Sequence, residues 1–142
     1  MKIRLLMLGK TRRPEINTLL GDYLKRIARS CPIEVSEVAD GRAAVKKLDA
    51  DRARTVLLLD AGGKAYDSVA FAKWLGEERD RGTREVVFVC GDSDGFPEVL
   101  RQRVKQKISL SAMTYSHELA RVMLAEQIYR AFAILSGSPY PK

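Results

Sequence analysis

The stretch Lys107-Ile108-Ser109-Leu110-Ser111-Ala112-Met113-Thr114-Tyr115-Ser116-His117-Glu118-Leu119-Ala120-Arg121-Val122 decides how this chain is read. A short strand-like run, Ile108 to Leu110, passes into a small, hydroxyl-bearing loop, Ser111 to Ser116. A long helix carrying His117, Arg121, Glu126 and Arg130 follows. Ser116 is placed to cap that helix, with Glu118 in its first turn. A loop of small and polar residues after a strand brings backbone amides and carbonyls up to a ligand, so a binding site is expected here.

The same strand-then-helix pattern repeats upstream. Ile3 to Gly9 reads as a strand, and a helix starts near Pro14, where proline suits the first turn. Ile16, Leu19, Leu20, Tyr23, Leu24 and Ile27 then recur at helical spacing. Ile33 to Val38 alternates with period two, the mark of a strand with one wet face near a sheet edge. A short helix is expected from Arg42 to Leu48. Thr55 to Asp60 is almost continuously apolar, as a central parallel strand should be. Gly62-Gly63-Lys64 reads as a turn, Ser68 to Arg79 as a helix, Glu85 to Cys90 as a buried strand, and Pro97 to Gln106 as a short helix. Strands separated by helices predict one α/β domain over residues 1–142. Its sheet would be mostly parallel, of five to six strands, between layers of helices. Ligands in such sheets sit at the carboxyl ends of the central strands. Three loops meet that rule, beginning at Leu59-Asp60, at Gly91 and at Leu110.

Composition narrows the function. With 142 residues, 46% apolar and 30% charged, the chain has a normal globular balance. No apolar run reaches the roughly 18 residues of a membrane span. The apolar part of the opening Lys2-Ile3-Arg4-Leu5-Leu6-Met7-Leu8-Gly9 is too short for a signal peptide, so a cytoplasmic location without membrane contact is expected. Cys31 and Cys90 form no metal-spaced pair, and a single histidine argues against a zinc site. The net charge of +7 favours a polyanionic partner, because neutralising phosphates releases counterions. Solvated basic helix faces are the plainer reading of the same charge.

Gly91-Asp92-Ser93-Asp94-Gly95 is not a calcium loop, because its glycine falls at the wrong position. It resembles only faintly the Asp-x-Asp of phosphatases that form an aspartyl-phosphate on magnesium, since Gly91 intervenes after the strand. Gly62-Gly63-Lys64 lacks the spacing of a phosphate-binding loop, and Ala65 stands where a hydroxyl residue belongs. His117 and Arg121, four apart, share a helix face beside the loop. The imidazole either contacts a substrate or satisfies nearby backbone. The guanidinium suits phosphate or carboxylate. Glu126 and Arg130 read as an intrahelical pair. Leu119, Val122, Met123, Ile128, Tyr129 and Phe132 wrap most of the helix in apolar groups, which hints at a subunit interface.

Together these residues resemble the RlmH family, bacterial pseudouridine methyltransferases of the SPOUT, or α/β-knot, class that act on large-subunit ribosomal RNA. The resemblance covers essentially the whole chain. Its most specific part is Ser109-Leu110-Ser111-Ala112-Met113-Thr114 with His117, Arg121-Val122, Ala125-Glu126 and Tyr129-Arg130-Ala131, supported by Leu59-Asp60, Gly63-Lys64 and Asp67. It implies a deep C-terminal trefoil knot and a homodimer packed partly through the final helix. It implies S-adenosylmethionine, without a metal, held by Leu59, Gly91, Leu110, Ser111, Ala112, Met113, Thr114 and Tyr115. The implied reaction is methylation of N3 of a pseudouridine in 23S ribosomal RNA, at the subunit-interface hairpin within the ribosome. His117, Arg121 and Tyr140 are the candidate catalytic residues, with Arg121 expected on RNA phosphate. Two departures stand out. Asp92 occupies a position where the family usually has glycine, and aspartate there is expected to sustain a left-handed turn. The tail Ser138-Pro139-Tyr140-Pro141-Lys142 lacks the histidines that often flank the family's Pro-Tyr. A non-catalytic ribosome-binding homologue is the alternative that these departures raise.

Overall fold

Val86 to Val89 cannot meet water without cost, and the chain places them at the centre of a five-stranded parallel sheet. The computed structural model describes residues 1–49 and 54–140; Pro141 and Lys142 of the tail lie outside the described residues. The elements are β1 (Lys2–Leu8), α1 (Pro14–Ala28), β2 (Ile33–Val38), α2 (Gly41–Leu48), β3 (Arg54–Ala65), α3 (Ser68–Asp80), β4 (Glu85–Cys90), α4 (Glu98–Arg103), β5 (Gln106–Ser109) and α5 (His117–Ser136). The strands are ordered β2-β1-β4-β3-β5, and every pairing is parallel. β4 is buried at all its positions, whereas the alternating β2 forms an edge, as its period-two pattern predicts.

Successive strand side chains point to opposite faces, which divides the core in two. Ile3, Leu5 and Met7 of β1 and Val86, Phe88 and Cys90 of β4 pack under α1, α3 and α5 with Ile16, Leu20, Phe71, Leu75 and Ile128. Leu6, Leu8, Val87 and Val89 face the other way, onto Ala44 and Leu48 of α2 and Leu100 of α4. Burial of such a side chain contributes about 1.5–3 kcal/mol. The starts of α2, α3 and α5 are set by short polar caps. Asp40 accepts from Ala43 N at 2.9 Å, Asp67 from Ala70 N at 2.7 Å, and Ser116 from Leu119 N at 3.4 Å.

One segment departs from its sequence reading. Gly62-Gly63-Lys64 does not end β3 in a turn; the strand runs on to Ala65. Ile108 of β5 is in register with both Leu59 and Lys64, so the chain between them leaves the plane of the sheet. Gly63 makes this close approach. A Cβ there would stand 2.7 Å from Ile108 N and from the Lys107 carbonyl carbon, inside van der Waals contact. Only glycine fits, and β5 is thereby held by two separate parts of β3.

Candidate active site

A cleft of about 440 Å³ opens where β3 departs from the sheet after Leu59 and at the carboxyl ends of β4 and β5, within the size range of small-ligand sites. The loops singled out by the strand-end rule meet there. Leu59, Gly91, Leu110, Ser111, Met113, Thr114 and Tyr115 all line it, and so does His117. Ala112 is exposed and does not line the wall. The loop after β5 is braced internally. Ser109 Oγ donates to the Ser111 carbonyl at 2.8 Å, and Ser111 Oγ accepts from Met113 N at 3.0 Å. Phe96, Arg101 and Ala120 line the cleft as well and were not singled out by sequence, whereas Asp60 and Asp92 belong to segments already named. For Asp60 the signal was present, since it ends the apolar run. Phe96 and Arg101 arrive through the packing of α4, which no local pattern encodes.

The Gly91–Gly95 loop closes on itself. Gly95 N donates to the Asp92 carbonyl at 3.0 Å, and Asp94 N to Asp92 Oδ1 at 2.9 Å. The left-handed residue is Gly95, with φ of 80°, and no residue other than glycine has positive φ among those described. The expectation that Asp92 would take that geometry is therefore corrected. Its side chain instead caps the turn. Gly91 must be small because a Cβ would approach Gly95 O to 2.9 Å. On the opposite rim, Asp60 Oδ2 lies 3.4 Å from Arg101 Nη1 and 4.0 Å from Lys107 Nζ. Cys90 lies at the cleft floor, and burial pushes its thiol up to about 12, which leaves it a packing group rather than a nucleophile.

The three expected catalytic residues separate in space. His117 stands at the cleft, its Nε2 4.0 Å from Glu118 Oε2. Arg121 is fully buried, which corrects its expected place on RNA phosphate. Its Nη2 donates to Leu8 O at 2.7 Å, and its Nη1 to Thr11 Oγ1 at 2.9 Å and Gly9 O at 3.2 Å. The guanidinium is thus spent on fastening α5 to the end of β1. Its phase shows why, because Arg121 shares a stripe with Leu124, Ala125 and Ile128, all buried. Tyr140 does not line the cleft. The tail folds back along α5, so its ring meets Tyr129 edge-on at 4.7 Å and its hydroxyl donates to Glu126 Oε1 at 3.1 Å. Burial, and then hydrogen bonding to Tyr23 and Glu126, raise the phenol above its ordinary range, so it is no phenolate base in this setting. Glu126 and Arg130 form the expected intrahelical pair, at 2.6 Å.

A second cleft of about 440 Å³ lies across Leu110, between α1, α5 and the start of α3. Leu19, Tyr23, Tyr66, Phe71, Val122 and Met123 give it a largely apolar lining. Leu19, Leu119, Met123 and Ile134 remain exposed around these helices. No helix among the described residues is long and apolar enough to cross a membrane, and no group of three or more metal-binding side chains occurs among them.

Solved structures share this architecture. A probable methylase family protein from Haemophilus influenzae Rd KW20 superposes with a TM-score of 0.59 at 9% identity, covering 99% of this chain and 70% of that one. A putative methyltransferase from Legionella pneumophila, solved in complex with the bound cofactor SAM, gives 0.55 at 14% identity, covering 92% and 66%. Sequence relatives are far nearer. Proteins named ribosomal RNA large subunit methyltransferase H match from Koribacter versatilis, at 40% identity over 99% of this chain and 97% of that one, and from Solibacter usitatus, at 41% over 99% of each. The family model described as predicted SPOUT methyltransferase matches residues 1–141. With the strand-end cleft in place and that match spanning nearly every residue, the chain belongs to the SPOUT methyltransferase family.

Proposed function

We propose that this chain transfers a methyl group from S-adenosylmethionine to N3 of a pseudouridine in 23S ribosomal RNA, at the subunit-interface hairpin of the ribosome. One observation carries the reading. The excursion of β3 at Leu59 to Ala61 and the loops after β4 and β5 form a single cleft in a chain about 40% identical, end to end, to proteins named for methylating large-subunit ribosomal RNA.

The residues present suit the cofactor. Leu59, Leu110 and Phe96 offer apolar walls, the loop at Ser111 to Tyr115 offers backbone groups, and Asp60 and Asp92 place carboxylates beside a ligand that carries positive charge. When bound, S-adenosylmethionine supplies the electrophilic methyl group, so the protein's task is placement and proton handling. Leu59, Gly91 and Leu110 through Tyr115 are proposed to hold it. His117, at the cleft, is proposed to take the proton that N3 must lose, a role to which imidazole is suited near neutral pH. Arg121 acts on His117 only indirectly, by fixing the first turns of α5.

A homodimer belongs to the same reading. It would cover the exposed Leu19, Leu119, Met123 and Ile134 and the apolar second cleft beside them. The threaded topology of the class is supported by the way β3 holds β5 from two places through Gly63. The test is incubation of the protein with labelled S-adenosylmethionine and ribosomes that lack the modification, followed by nucleoside mass spectrometry. New 3-methylpseudouridine is the expected product. Unmodified ribosomes despite measured cofactor binding would overturn the reading in favour of a non-catalytic homologue.

A further inference from the structure

We propose that the β1–α1 loop, Lys10 to Arg13, is a preorganised phosphate-binding edge that grips the RNA backbone beside the cleft. The inference rests on the RNA-methyltransferase reading above and names the surface that reading requires.

Four side chains from three elements pin this loop's backbone. Arg121 of α5 holds the carbonyls of Leu8 and Gly9 and the hydroxyl of Thr11. Glu118 of α5 accepts from Arg12 N at 3.2 Å and Arg13 N at 3.0 Å. Glu37 of β2 accepts from Thr11 N at 3.0 Å, and Asn17 of α1 donates to Thr11 O at 2.9 Å. Thr11 is buried, while Lys10, Arg12 and Arg13 are exposed. The carboxylates of Glu118 and Glu37 are engaged with loop amides, and among the described residues none of the three cations forms an ion pair. Some exposed cations elsewhere, such as Arg79 and Arg103, are instead paired with a carboxylate.

Two further features point to an anion. Arg13 occupies the N-cap of α1 with no side-chain cap, where serine, threonine, asparagine or aspartate is usually preferred. A cation there opposes the positive end of the helix dipole, an arrangement that Glu15 in the first turn and the Glu118 carboxylate on the Arg13 amide offset in part and that an incoming phosphate would relieve further. Glu118, which holds the loop, is also the chain neighbour of His117 at the cleft, so the cationic edge lies beside the proposed reacting centre. A backbone already fixed loses little entropy when the guanidiniums meet phosphate, and such contacts set register rather than sequence.

The test compares Arg12→Gln/Arg13→Gln with Lys25→Gln/Arg29→Gln, a double variant of equal charge change at the far end of α1. Ribosome binding is measured against salt, alongside melting temperature and S-adenosylmethionine affinity. Two lost phosphate contacts should lower the salt slope by roughly 1.4–1.8 and the affinity roughly 25- to 60-fold at 0.1 M salt. Cofactor affinity and melting temperature should stay at the wild-type values, and the far-end variant should bind as the wild type does. Equal slopes for the two variants, with a wild type that methylates ribosomes, would overturn this inference alone. A wild type that binds cofactor but methylates nothing would remove the functional reading and this inference with it.

Discussion

Replacing Arg121 with methionine keeps the length and apolar stem of the side chain but removes its donors. The guanidinium makes three hydrogen bonds, at 2.7, 2.9 and 3.2 Å, and Arg121 itself is fully buried. Hydrogen bonds to a charged group contribute about 1.5–3 kcal/mol each, and their loss would leave the Leu8 and Gly9 carbonyls without this donor. The variant also escapes the cost of burying a cation whose Nε has no partner, so the net loss is about 2–4 kcal/mol. For 142 residues the unfolding entropy is about 0.3 kcal/mol/K. The melting temperature should therefore fall by roughly 7–13 °C, read by differential scanning calorimetry. A residue that merely touched RNA would behave oppositely, leaving the melting temperature alone and weakening ribosome binding. A shift of under about 2 °C, the range of an ordinary surface substitution, would refute the burial argument.

Gly63→Ala should cost at least about 1–3 kcal/mol and weaken S-adenosylmethionine binding, because the new methyl group meets the Lys107–Ile108 backbone between Leu59 and Leu110. Gly62→Ala, whose Cβ meets nothing within 4 Å, is the matched control for calorimetry and should leave binding unchanged. Glu118 is held below the usual carboxylate range, first by the Arg13 amide, so its stabilising effect is present at neutral pH and lost as pH falls through its folded value. The hydrogen-exchange protection of the Arg12 and Arg13 amides, relative to their intrinsic rate at each pH, should fall on acidification in the wild type and lose that pH dependence in Glu118→Gln. Cys90, with its thiol pushed up to about 12, should resist a thiol-specific reagent in the native protein and react once urea unfolds it. Fast native labelling at Cys90 would show that the cleft floor opens.

Much of the architecture was legible because its signals are local. The ranges of β2 and β4 follow from alternation and from a continuous apolar run, and Ser116 starts α5 where its cap chemistry places it. The course of β3 was not legible. Two adjacent glycines signal a turn, yet Gly63 is there because another backbone passes within contact, a fact that lives in tertiary structure. β5 begins at Gln106 rather than Ile108 because its first residues pair with Leu57 and Leu58, again a long-range cause. Strand-end loops located the cleft, since parallel topology brings them together, but Phe96 and Arg101 enter it through helix packing. Arg121 could have been read better from the sequence alone. It keeps helical phase with Leu124, Ala125 and Ile128, and an arginine on a buried stripe is a fastener before it is a ligand.

The central claim is that the cleft between Leu59, Gly91 and the Leu110–Tyr115 loop is the cofactor site, although a second cleft of equal volume lies across Leu110. A crystal structure with S-adenosylmethionine tests it directly. The account predicts the cofactor against Leu59, Gly91 and the loop after β5, with its methyl group facing the space beside His117. The cofactor bound instead between Tyr23, Phe71 and Met123 would contradict it.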